Sequence, residues 1–216
     1  MIMIFALSPG WVEARVVILP DSVTSIGEGA YRGDTTITEF RAGAGSRLVE
    51  IGAEAFRGCT SLRRVELPAG VRKIGRAAFI YCASLEEINF PQGLERIGLN
   101  AFTRCANLRE ARLPDSVIEL ESYAFSDCEG LRAVRLPGNS SLLGELMFSG
   151  CVNLQVIEEP SPEPPPFDCR SFLVEPDEES LYSRLKLLVP PRAVQLYREA
   201  HGWRLIHNIE GTSTFQ

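Results

Sequence analysis

The chain is short of the residues that several classes of function need. It has two histidines, no Cys-x-x-Cys pair, no basic excess and no apolar run of membrane length. His201 and His207 lie six residues apart, which fits neither the i,i+4 spacing of helical metal ligands nor any known motif. Without a Cys-x-x-Cys pair, zinc is not expected. With 22 Lys and Arg against 28 Asp and Glu, the net charge is −6. Binding to phosphate backbones needs a basic face, so nucleic acid is not an expected partner. No stretch approaches the roughly 18–20 apolar residues of a membrane helix, so membrane insertion is not expected either. The start, MIMIFALSPGW, has no positive leader and no small-residue cleavage site. It reads as an edge strand or cap of the fold and as a poor secretory signal.

Catalytic constellations are missing as well. No G-x-S-x-G elbow occurs. The acidic pairs Glu86-Glu87, Glu158-Glu159 and Glu178-Glu179 are adjacent in sequence, so on a strand their side chains point to opposite faces. A catalytic carboxylate pair needs facing groups. The sequence therefore calls for no enzyme and no cofactor.

What the chain does have is a period. From Ile51 to Leu142 it reads IGAEAFRGCTSLRRVELPAGVRK and three further copies, each 23 residues long. Phe56, Phe79, Phe102, Phe125 and Phe148 keep that spacing, and so do Cys59, Cys82, Cys105, Cys128 and Cys151. A fixed period of roughly 20–50 residues is the mark of a solenoid, in which each repeat touches only its neighbours. Residues 11–25 supply a partial first repeat, with Leu19 and Pro20 matching Leu67 and Pro68. Residues 26–50 form a repeat of 25, in which Tyr31 replaces Phe and Asp34 replaces Cys. The two extra residues are expected to bulge near Gly43-Ala44-Gly45.

Each repeat carries one strand. In Arg64-Val65-Glu66-Leu67 the polar and apolar residues alternate, so Val65 and Leu67 point inward while Arg64 and Glu66 face out. Pro68 ends the pairing because it has no N–H to donate. The same pattern places Ile88 and Phe90, Ala111 and Leu113, and Val134 and Leu136 inside. The expected fold is a solenoid with one parallel β-sheet on one face, short turns or helical segments on the other, and a small α/β cap at the C-terminal end. The five in-register cysteines would stack as a column. Adjacent coils lie ~4.8 Å apart, within bridging range, but an odd column cannot fully pair, and buried Cys is a common small core residue. Thiols are expected.

The period decays after Cys151. Glu159 falls at an inward position, and 160–166 is too rich in proline for ladder pairing, which suggests an extended crossing. Phe172 stands where the repeat Phe would be. A strand is expected in Leu181 to Pro190, then a helix from about Arg192 to Ala200 stopped by Gly202. The division is thus 1–160 for the repeats, about six or seven of them, and 161–216 for the irregular repeat and cap.

The repeat I-G-x-x-A-F-x-x-C-x-x-L-x-x-[VI]-x-[LF]-P closely resembles the BspA-like leucine-rich repeats, also called the Treponema pallidum type. The resemblance covers roughly residues 14 to 160. The tail, with Val189-Pro190, Val194, Tyr197, Trp203 and Asn208-Ile209, is similar to the ending of many bacterial surface proteins of this kind, and the segment from Pro164-Pro165-Pro166 to Phe172 resembles the irregular repeat that precedes it. The resemblance implies a curved solenoid that binds proteins or host surfaces as an adhesin or secreted protein, without catalysis. The poor signal and the unpaired cysteines leave an intracellular scaffold as the alternative.

Two outward columns are the candidate binding surface. One runs Glu39, Arg64, Glu87, Glu110, Ala133, Val156, and the other Ile18, Arg41, Glu66, Asn89, Arg112, Arg135, Glu158. The residues chosen from them to contact a protein or glycan partner are Arg64, Glu66, Glu87, Asn89, Glu110, Arg112 and Arg135, since arginine is enriched at interface hot spots. Arg32-Gly33-Asp34 spells an adhesion tripeptide, but it aligns with Arg57-Gly58-Cys59 and reads as part of the repeat. Gly27-x-Gly29 with Gly33 lacks the lysine of a phosphate loop. The sequon Asn139-Ser140-Ser141 reads as the turn of its repeat.

Overall fold

The computed structural model describes residues 15–43, 45–139, 143–166 and 182–214. The expectations for 1–14, Ala44, Ser140-Ser141, Phe172 and Glu178-Glu179 lie outside the described residues, as does the sixth cysteine, Cys169.

Short strands recur once per coil on a front face: β1 (Arg15–Leu19), β3 (Ile37–Ala42), β5 (Arg64–Glu66), β7 (Glu87–Ile88), β9 (Glu110–Arg112), β11 (Ala133–Arg135) and β12 (Val156–Glu158). A second set of two-residue strands alternates with them: β2 (Ser25–Ile26), β4 (Glu50–Ile51), β6 (Lys73–Ile74), β8 (Arg96–Ile97) and β10 (Glu119–Leu120). All pairings are parallel. The expected sheet on one face is therefore present, but it comes in two segments, β1-β3-β5-β7 and one that starts β9-β11-β12 and runs on into the C-terminal cap. The unbroken second ladder β2-β4-β6-β8-β10 runs beside it. Two-residue strands are too short to leave a periodic signal in sequence.

A third line of bonds joins successive turns. Phe56 N–H donates to Ala78 O at 2.8 Å, Phe79 to Ala101 at 2.8 Å and Phe102 to Ala124 at 2.8 Å. These bonds hold backbone that most residues avoid. Tyr81, Arg104 and Asp127 have φ of 64°, 63° and 55° at the position where neighbouring coils place Gly33, Gly58 and Gly150. Left-handed backbone costs a bulky residue roughly 1–2 kcal/mol, and it persists here because the adjacent coil fixes it. Gly75 is needed for a different reason: a Cβ there would lie 2.7 Å from Ala53 N of the coil before.

The interior is a set of columns. Ring centroids of Phe56–Phe79, Phe79–Phe102 and Phe102–Phe125 lie 5.1, 5.3 and 5.1 Å apart, stacked within a few degrees of parallel. Tyr31 extends the stack onto Phe56 at 5.0 Å. Beside them, Cys59, Cys82, Cys105, Cys128 and Cys151 are buried free thiols. Each S–H donates to a main-chain carbonyl of the preceding coil, those of Tyr31, Phe56, Phe79, Phe102 and Phe125, at 3.0–3.3 Å. Burial pushes the Cys59 thiol up to about 11 and the Cys128 thiol up to about 12. The column stays protonated at neutral pH, which is what a donor to a carbonyl requires.

At the C-terminal end β13 (Lys186–Val189) and β14 (Asn208–Gly211) continue the front sheet beyond β12. Between them lie 3-10 turns at Pro191–Ala193 and Trp203–Leu205 and the helix α1 (Val194–Glu199). Gly202, with φ of 80°, falls after the helix as expected. No strand forms in 160–166, and this segment is held from outside: Tyr197 O–H donates to Ser161 O at 3.0 Å and Trp203 Nε1–H to Pro165 O at 2.9 Å. Glu159 is wholly buried beneath this crossing. Its Oε1 accepts from Ser161 N at 3.0 Å, while Oε2 has no hydrogen-bond partner. Burial raises its carboxyl to about 7.

Candidate functional site

The outward columns keep the register expected of them. Glu39, Arg64 and Glu87 are neighbours across strands, as are Glu110, Ala133 and Val156, and likewise Arg112, Arg135 and Glu158. The exception is Asn89. Its side chain enters the ladder: Leu67 N–H donates to Asn89 Oδ1 at 2.6 Å, and Asn89 Nδ2 donates to Leu67 O at 2.8 Å. In later coils the bond equivalent to that from Leu67 is main chain to main chain, with Leu113 N donating to Arg135 O at 3.0 Å and Leu136 N to Glu158 O at 2.8 Å. The amide of Asn89 takes the place of its own backbone, and β7 ends at Ile88.

Interior packing shifts at the same place. Phe90 occupies the position held elsewhere by Leu67, Leu113 and Leu136. Its ring meets Phe102 edge-on at 5.6 Å and Phe125, two coils on, at 6.3 Å. The next coil has the small Ala111 where others have Val65, Ile88 and Val134, which leaves room for a large neighbour. Together, Asn89 in the ladder and Phe90 leaning toward the following coils account for the missing pairing between β7 and β9.

A groove of about 780 Å³ opens at this interruption, lined by Arg64, Val65, Glu66, Glu86, Glu87, Ile88, Asn89, Phe90, Gln92, Arg109, Glu110 and Arg112. Six of the seven residues chosen from the sequence stand on it. Ile88 is only partly buried there, while its column neighbours Val65, Ala111 and Val134 are buried. Arg64 bridges Glu87 at 2.9 Å and Glu39 at 3.5 Å. Arg112 bridges Glu110 at 2.8 Å and Glu158 at 3.0 Å. The hydrogen bonds that Arg64 donates to Glu87 and Arg112 donates to Glu110 hold these two guanidinium groups above their ordinary pKa. Among the described residues no ion pair engages Glu66 or Arg109, and both are exposed.

Arg135, the seventh residue, stands apart. Its side chain is only 16% exposed, donates to Leu113 O at 2.7 Å and pairs with Asp115 at 2.9 Å. Burial raises the Asp115 carboxyl, but the Arg135 and Gly138 hydrogen bonds outweigh it and hold the group below its usual range. Spacing does not mark Glu86, Gln92 and Arg109, which are not at outward strand positions, and the alternation places Val65, Ile88 and Phe90 inside although they too line the groove.

The adhesion tripeptide is tied into the fold. Arg32 pairs with Glu54 at 3.1 Å, while Asp34 binds Arg15 at 2.8 Å and accepts from Thr36 N and Oγ1. Among the described residues no group of three or more His, Cys, Asp or Glu could hold a metal ion, and no helix is long and apolar enough to cross a membrane.

These coils, with a parallel front ladder, stacked phenylalanines and a thiol column, define a leucine-rich-repeat solenoid. The model of the BspA type leucine-rich repeat region matches residues 12–111 and 49–162, so the chain belongs to that family. The solved leucine-rich repeat protein of T. pallidum is 31% identical, with a TM-score of 0.63, over 73% of this chain and 81% of that one. A leucine-rich repeat protein from Bacteroides ovatus is 25% identical, with a TM-score of 0.66, over 89% of this chain and 55% of its own length. No curated protein matches. Leucine-rich repeat proteins are generally non-catalytic, and the family points to protein interaction or adhesion.

Proposed function

We propose that the chain is a non-catalytic interaction module of the adhesin type that binds its partner through the front sheet face, centred on the groove between β7 and β9. The observation that carries this reading is the meeting of Arg64, Glu66, Glu87, Asn89, Glu110 and Arg112 on one groove at the only interruption of the front sheet among the described residues. A protein fits this face better than a glycan. Sugar rings stack on exposed aromatic side chains, and the front face offers none; Phe90 is buried. What the face offers is charge of both signs, the pattern that fixes orientation and selects partners between proteins.

The test is retention of a partner isolated with the intact chain from extracts of the native host and of neighbouring cells. Arg64→Glu with Arg112→Glu should weaken retention about ten-fold or more, because each arginine sits between acidic residues at the groove rim. Unchanged retention would remove the front face from the interaction.

A further inference from the structure

We infer that the groove between β7 and β9 takes an extended peptide segment of a protein partner, held by main-chain hydrogen bonds to the two strand edges left unpaired there. The inference rests on the front-face reading above and names the part of a partner that the face receives.

The main chain at the interruption carries the argument. No pairing joins β7 to β9, so the donors and acceptors that bond coil to coil elsewhere have no counterparts here. The bonds from Leu113 to Arg135 and from Leu136 to Glu158 have no equivalent from Phe90 to Arg112. Nor does the bond from Arg132 N to Arg109 O have one from Arg109 N to Glu86 O. Sheet edges leave N–H and C=O groups alternating at strand spacing, a pattern that another peptide backbone matches and a sugar or small anion does not. Residues from both edges, Glu86 and Ile88 on one and Arg109 and Glu110 on the other, line the groove.

Side chains give the occupant a direction. Ile88, partly exposed on the floor, suits a small apolar side chain. Glu66 and Arg109 are exposed at the groove without ion pairs among the described residues, whereas Arg64 and Arg112 are engaged. A segment with a basic residue placed for Glu66 and an acidic one for Arg109 would satisfy both.

The experiment has two parts on the full chain. Amide hydrogen exchange should show Phe90 and Arg112 exchanging about 100-fold faster than Leu113 and Leu136. Short random linear peptides displayed on phage should then yield binders carrying both charges. Adding such a peptide should slow exchange at Phe90 and Arg112, and N-methylating its backbone at alternate residues should weaken it about ten-fold. Asn89→Val should also weaken it, by returning the backbone of residue 89 to the ladder. N-methylation tests the point even if that variant folds poorly. The inference is overturned if no peptide is enriched, if those enriched leave exchange at the two edges unchanged, or if N-methylation has no effect. In any of these cases a loss of partner binding in the Arg64→Glu, Arg112→Glu variant would leave the front-face reading standing.

Discussion

The Phe–Cys interior and the front sheet obey the same 23-residue period and tolerate departures from it very differently. Inside, every ring from Phe56 to Phe125 meets the next at 5.1–5.3 Å, and every thiol from Cys59 to Cys151 reaches back to a carbonyl. At the front, an asparagine side chain in the ladder and the large ring next to it in sequence go with a divided sheet. The interior is close-packed on all sides, so a change there displaces neighbours. A front strand of two or three residues has solvent on one side, and lost bonds can be satisfied by water or by a partner. The features that identify the family thus lie where variation is least tolerated, and the groove lies where it is most tolerated.

The largest test of this contrast is Phe102→Ala. Removing a fully buried ring from the middle of the stack should cost ~3–5 kcal/mol in denaturant unfolding. A loss under ~1 kcal/mol would mean that the columns do not carry the stability assigned to them. The front-sheet side has a buried weak point of its own in Glu159, whose folded-state value is raised from 4.5 to about 7. The folded state then holds a proton that the unfolded chain releases between those values, so stability falls as pH rises through that window and levels off above it. The loss is on the order of 3 kcal/mol in full. Charged or titratable neighbours acting on the group are Arg135, which opposes the shift, and Asp115, which adds to it, and Glu159 in turn helps to raise Tyr197 beyond the effect of that residue's own burial. Glu159→Gln should remove most of this slope, leaving the variant more stable than the wild type at pH 8 and about equal near pH 4. Parallel melting curves at both pH values would contradict it.

A smaller effect tests where the two regions meet. Ala111→Val puts a branched side chain where Phe90 leans across, and overpacking of this kind costs about 1–3 kcal/mol. A neutral result would mean that Phe90 does not depend on the space above Ala111. The smallest effect is expected from Tyr81→Gly. It relieves left-handed backbone but gives up the contact with Arg104, whose guanidinium lies 5.4 Å from the ring centroid. Glycine also loses more freedom on folding, so the net change should stay within ~1 kcal/mol.

Much of this was legible in the residues. The columns, the register of both outward rows and the inward Glu159 followed from spacing alone, because in a parallel solenoid equal spacing means stacking. The interruption was not legible. Asn89 has the polarity of an outward residue, and nothing in its type distinguishes an amide facing solvent from one bonding Leu67 in place of its own backbone. Ala111 and Phe90 each look like ordinary inward residues, and spacing gives no sign that the Phe90 ring reaches across to Phe102 and Phe125. Arg109 escaped notice because it precedes its strand, and it reaches the groove only because the groove opens beside it.

The three lines of bonds that tie coil to coil also govern how the solenoid deforms. At most boundaries it resembles a beam clamped along three edges. Between the coils of β7 and β9 the front clamp is absent, while the second ladder and the turn bonds run through unbroken. Bending stiffness there is unequal by direction: the solenoid yields toward opening its front face and resists opening the other two. A segment seated between β7 and β9 would restore the third clamp, so occupancy of the groove would stiffen the rod at that one joint.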